Sequence, residues 1–155
     1  MTLPDAPPFG DAANAFQLVQ ARYHDHRQSF QSIIQSTPGH FTIVMTVPSG
    51  PRIMSIEWHD GAVASKKEPI APGSLVPERL LADLMLVYAP EDELRDTISG
   101  GKLVTVGDRI RRVFKDGREL VEVTRPVGDP WSGEATLTNF AFDYALDIQS
   151  RRLSQ

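Results

Sequence analysis

Residues Pro77–Tyr88 read PERLLADLMLVY, and they interrupt a chain that otherwise alternates with period two. Leu80, Leu84, Val87 and Tyr88 fall at i, i+4, i+7 and i+8, one apolar stripe of an amphipathic helix. Leu81 and Met85 widen that stripe and leave Glu78, Arg79 and Asp83 as the water-facing positions. Proline and acid suit a helix's first turn, where a missing N–H costs nothing and negative charge meets the positive end of the macrodipole. Pro90 stops the helix, and the acidic segment Glu91–Ser99 (EDELRDTIS) predicts a second, shorter one ending at Gly100-Gly101.

On the amino-terminal side, Phe16–Ser36 predicts two strands joined through the polar break Tyr23–Arg27 (YHDHR). After Pro38-Gly39, the residues Phe41, Ile43, Met45 and Val47 share one face of a third strand. Met54, Ile56 and Trp58 share a face of a fourth, and Asp60-Gly61 is a hairpin signal after it. On the carboxyl-terminal side, strands are predicted over Lys102–Val106, Arg109–Phe114, Glu119–Arg125, Ala135–Thr138 and Phe140–Gln149. In the last of these Phe140, Phe142, Tyr144, Leu146 and Ile148 alternate with Ala141, Asp143, Ala145 and Asp147. About nine short strands around one helical insert predict an α+β, mainly antiparallel fold. Its form would be a curved, half-open β-barrel with the helices on its concave face.

At 155 residues the chain fits one domain. We expect a Pro-rich tether over 1–15, a single domain over 16–150 and a polar tail over 151–155. A hydrophobic share of 41% with 23% charged residues matches a globular domain, and no apolar run is long enough to span a bilayer as a helix. The net charge of −4 argues against nucleic acid as a partner, because phosphate binding draws on clustered Lys and Arg. With no cysteine, disulfides, thiolate metal sites and thiol nucleophiles are excluded. The start, MTLPDAPPFG, has neither the basic nor the apolar segment of a secretory signal.

Catalytic signatures are absent: no G-x-S-x-G elbow, no phosphate-binding loop, no H-E-x-x-H helix. His24 and His26 would share a strand face and could hold a metal with His40 or His59, although a solvated connection is the simpler reading. The acids Glu91, Asp92, Glu93 and Asp96 fit a helix's first turn without a catalytic role. Lys102, Arg109, Arg111, Arg112, Lys115, Arg118 and Arg125 form a basic hairpin region, either a solvated sheet face or a contact for anionic head groups or an acidic partner. No cofactor and no metal are expected.

Three pieces carry a resemblance: PERLLADLMLVYAP, GRELVEVTRP and DPWSGEATLTNFAFDYALDI. Leu80-Leu81-Ala82-Asp83-Leu84, Val87-Tyr88, Trp131-x-Gly133, Asn139 and Tyr144 are their most recognisable residues. Over about 16–148 the chain resembles a family of uncharacterised bacterial outer-membrane lipoproteins, some of them encoded in aryl polyene biosynthesis clusters. That family in turn is similar to the lipoprotein carriers LolA and LolB, whose open barrel receives acyl chains in an apolar cavity under helices. Its members begin with a lipidated cysteine, which this chain lacks; a Pro-rich tether suits the segment next to such an anchor.

The resemblance implies a non-enzymatic carrier at the periplasmic face of the outer membrane. Its ligand would be an acyl-chain or polyene lipid, or a lipoprotein acyl group, bound by sequestration and released by hand-over. Leu80, Leu84, Val87 and Tyr88 would form the lid side of the cavity; Met45, Ile56, Trp58, Phe142 and Tyr144 would form the opposite wall. Two rivals are a protein-interaction or scaffold module with a filled core and a lipid-ester hydrolase. The first would lack a ligand-sized cavity, and the second needs an activated nucleophile.

Overall fold

Alternation is realised as ten strands, described in a computed structural model covering residues 9, 13–48, 50–59, 61–71, 75–98 and 100–153. The first five are β1 (Ala13–Tyr23), β2 (His26–Thr37), β3 (His40–Thr46), β4 (Arg52–His59) and β5 (Ala62–Lys67). The helices α1 (Pro77–Tyr88) and α2 (Glu91–Thr97) follow. Then come β6 (Lys102–Val106), β7 (Ile110–Lys115), β8 (Arg118–Thr124), β9 (Gly133–Asn139) and β10 (Tyr144–Arg152).

All ten join one antiparallel sheet in the order β5-β4-β3-β2-β1-β10-β9-β8-β7-β6. The chain winds outward from β1 to β5, passes through the helices, and winds back until β10 lies beside β1. Because β5 and β6 are not paired with each other, the curved sheet stays open. Tight turns set the register of each hairpin. Asp116 and Gly117 both take positive φ (53° and 77°), the mirror-image turn that matches the twist of β7 and β8.

The core lies between the sheet's inner face and α1. Phe41, Ile43 and Met45 of β3 meet Ile56 and Trp58 of β4, all fully buried or nearly so. Phe9 joins them: its ring stands 4.6 Å from Phe41, 6.0 Å from Trp58 and 6.1 Å from Trp131. Phe9 and the opening of β1 at Ala13 thus fall within the stretch expected as a tether, where the described residues belong to the folded body.

Two expectations change. The strand expected over Phe140–Gln149 begins only at Tyr144. Asn139 Oδ1 accepts the Phe142 N–H at 2.8 Å and Asp143 takes φ +56°, so residues 140–143 form the bend from β9 into β10. Phe140 and Phe142 are therefore 53% and 52% exposed, and their alternation spans a turn. A tenth strand, β5, adds to the expected nine; all six of its residues are exposed, so it shows no apolar face. On β1 the inner face carries Ala15, Gln17 and Val19, whereas Leu18 points outward.

Candidate functional site

Helix α1 crosses the inner face of the sheet and is held differently at its two ends. A helix leaves its last four carbonyls without intrahelical partners, and the last turn of α1 carries no basic residue of its own. The sheet supplies them. Arg111 Nη1 donates to the Leu86 carbonyl at 2.9 Å, and Arg125 Nε donates to the Val87 carbonyl at 2.7 Å. Burial lowers both guanidinium pKa values, that of Arg111 to about 10. Two members of the expected basic face are thus structural ties, and a third, Arg112, pairs with Glu122 and Glu119.

Tyr88 completes the anchor. Its ring stacks on Trp131 at 4.1 Å, and its hydroxyl lies 3.0 Å from Ser150 Oγ. Gln17 Nε2 donates to both oxygens at 2.9 Å. Each member of this buried trio satisfies the others, which explains a glutamine on the inner face of β1. Burial pushes the Tyr88 phenol up to about 12, so it keeps its proton.

The amino-terminal half of α1 covers a cavity instead. Val19, Ala21, Phe30, Met45 and Leu146 form its sheet side; Leu75, Val76 and Leu80 form its helix side. Tyr23, Gln28, Arg79, Asp83 and Tyr144 supply its polar groups. Its volume is about 80 Å³. An apolar cavity of about 150 Å³ holds one benzene, so a long chain enters only if the helix or its leading segment moves.

Asp83, expected to face water, is 6% exposed. The helix periodicity places it on the edge of the apolar stripe, and the sheet comes up against that edge. Tyr144 donates its O–H to Asp83 Oδ2 at 2.6 Å, and Asn139 Nδ2 donates to the Tyr144 oxygen at 3.3 Å. Burial raises the Asp83 carboxyl to about 7, against the smaller opposing effects of the Tyr144 hydrogen bond and the Arg79 charge. Burial and the neighbouring carboxyl raise Tyr144 well above an ordinary phenol. A carboxyl that changes charge near neutrality beside an apolar cavity can act as a polar latch or as a proton donor.

Of the nine residues singled out in the sequence, the structure brings Leu80, Met45 and Tyr144 to the cavity wall. Leu84, Val87, Tyr88, Ile56 and Trp58 lie in the packed core beside it. Phe142 stands outside, half-exposed, with the Arg79 guanidinium 4.2 Å from its ring centre. Sequence reasoning missed Val19, Ala21, Phe30 and Leu146. Their signal was alternation on three neighbouring strands, visible only once β10–β1–β2 pairing is known. His24 occupies a turn at φ +53° with its ring beside Asp143, and among the described residues no group of three possible ligands could hold a metal. No described helix is long and apolar enough to cross a membrane.

The arrangement has a structural counterpart. The crystal structure of a LolA superfamily protein, NE2245 from Nitrosomonas europaea, superimposes with a TM-score of 0.52 over 97% of this chain and 91% of that one. The two share 9% sequence identity, so the likeness is one of fold. No curated protein matches the sequence. A family profile described as a protein of unknown function, DUF3261, matches residues 14–152, and the chain belongs to that family.

Proposed function

We propose that this protein is a non-enzymatic binding or carrier protein for an acyl or polyene lipid, or for the acyl group of a lipoprotein. Its site would be the periplasmic face of the outer membrane. The observation that carries this reading is the apolar cavity under the amino-terminal half of α1, in an open sheet of LolA-like fold. Its anchored carboxyl end makes α1 a hinged cover, fixed by Arg111, Arg125 and Tyr88 and latched at its middle by Asp83 and Tyr144. Burying ten methylenes gains about 8 kcal/mol. Breaking one hydrogen bond to a charged group costs about 1.5–3 kcal/mol. A chain can therefore open the cover, and a bilayer, which offers the same apolar gain, can take the chain back.

Two further features support sequestration over bond chemistry. The described lining holds no serine, threonine or histidine, and its one hydroxyl beside a carboxyl, Tyr144 on Asp83, is a phenol raised well above its ordinary pKa and so is not activated as a nucleophile. Its polar groups sit to one side of an apolar wall, the usual layout of an amphiphile site. One observation favours the scaffold reading: most of the concave face is filled, and the fully exposed strand β5 leaves a sheet edge open to pairing.

Fluorescence titration with a solvent-sensitive long-chain fatty-acid probe separates the two. Leu80→Arg is the right block, because Leu80 lines the cavity and is only half-buried. Saturable binding to the wild type that this variant loses, with its circular dichroism unchanged, supports the carrier. Absence of saturable binding to the wild type favours the filled module.

A further inference from the structure

Four arginines of this chain are buried or half-buried: Arg79, Arg111, Arg112 and Arg125. Three of them have acceptors, in the Leu86 carbonyl, the Glu122 carboxylate and the Val87 carbonyl. Arg79 has none: among the described residues no hydrogen bond or ion pair engages it. The Phe142 ring, 4.2 Å away, holds the guanidinium by a cation–π contact that uses none of its N–H groups. Two other residues of the same cavity lining carry donors that no described hydrogen bond uses, the half-buried Tyr23 and the exposed Gln28. Partial burial of an unpaired guanidinium is unfavourable, and an anion offering two oxygens in a plane is the partner that relieves it best.

We propose that Arg79, assisted by Tyr23 and Gln28, holds the anionic head of a single-chain amphiphile, a carboxylate or a phosphate, while the tail lies under α1. The proposal rests on the carrier reading and names its ligand class. Phe142, outside the cavity, then has a part: it fixes the plane of the guanidinium at the mouth. Asp83 lies one helical turn beyond Arg79 on the same face, but its carboxyl is engaged by the Tyr144 O–H, and burial holds it mostly neutral below pH 7. It therefore does not take the place of the missing anion.

The test is displacement of the neutral fluorophore N-phenylnaphthylamine from the full chain at pH 6 by four dodecyl competitors. These are dodecanoate, dodecyl phosphate, dodecanol and dodecyltrimethylammonium. We expect an anionic competitor to displace at about tenfold lower concentration than dodecanol, the size of one charge-assisted contact. Arg79→Gln should bring that competitor to the level of dodecanol, and Arg79→Lys should restore part of the preference. The better of dodecanoate and dodecyl phosphate then names the head. Equal displacement by all four, or a preference unchanged in Arg79→Gln, overturns the head-group site and leaves the cavity standing. Tightest binding of dodecyltrimethylammonium would also overturn it, because Asp83 would then be reading a cation. Failure of the fluorophore and of every competitor to bind would overturn the carrier reading itself.

Discussion

A single buried carboxyl should give this protein an unusual pH dependence. Asp83 has a folded-state pKa of about 7 against an ordinary 3.8, with burial as the dominant cause. The folded state thus binds a proton that the unfolded state releases. Its contribution to stability is complete below pH 3.8 and is lost as pH rises through 7. At 1.36 kcal/mol per unit, the integrated loss between pH 4.5 and 7.5 is about 3 kcal/mol. Glu91 and Asp129, held low by hydrogen bonds to Arg95 and Arg152, act in the opposite sense, and their effect falls below pH 4.5.

Urea unfolding in steps from pH 4.5 to 7.5 measures the slope directly. Asp83→Asn keeps an acceptor for Tyr144 and cannot ionise, so it should flatten the profile and exceed the wild type in stability at pH 7.5. An identical slope in both proteins, or a wild type that gains stability across this window, would refute the assignment of a buried carboxyl to α1.

Removing the Tyr144 donor by Tyr144→Phe should cost about 1–3 kcal/mol at pH 7.5 and less at pH 4.5, because it strands the carboxylate more than the acid; the same urea series reads it. Gln17→Leu breaks the trio with Tyr88 and Ser150 and should cost about 1–3 kcal/mol in urea unfolding. Arg111→Met leaves the Leu86 carbonyl unsatisfied, and amide exchange should quicken in the last turn of α1 before it changes in β1 or β2. Phe9→Ala should destabilise by about 3 kcal/mol if the ring packs as described against Phe41, Trp58 and Trp131.

What was legible in the sequence was whatever depends on local periodicity. The Pro77–Tyr88 helix has its bounds as read, because proline, acid and an apolar stripe all agree there. The strands of β3 and β4 were legible for the same reason, since their inner faces are uniformly apolar. Periodicity failed where a partner far along the chain changes the meaning of a residue. Gln17 looks like a surface position until Tyr88 and Ser150, 71 and 133 residues away, converge on it. Asp83 looks wet until Tyr144 closes over it, 61 residues on. Phe140 and Phe142 continue an alternating pattern, but the Asn139 side chain turns the backbone before the strand begins. Most of the candidate lid, Leu84, Val87 and Tyr88, is core because α1 is pinned at that end by arginines no helix pattern could reveal.

The central claim is that the space beneath the first half of α1 receives an apolar chain. Methionine methyl resonances report on it most directly, since Met45 lines that space whereas Met54 and Met85 lie in the packed core. In a protein carrying carbon-13 at its methionine methyls, titration with dodecanoate should shift the Met45 signal saturably and leave those of Met54 and Met85 nearly in place. A Met45 signal that does not move, or three signals that move together, would contradict the account.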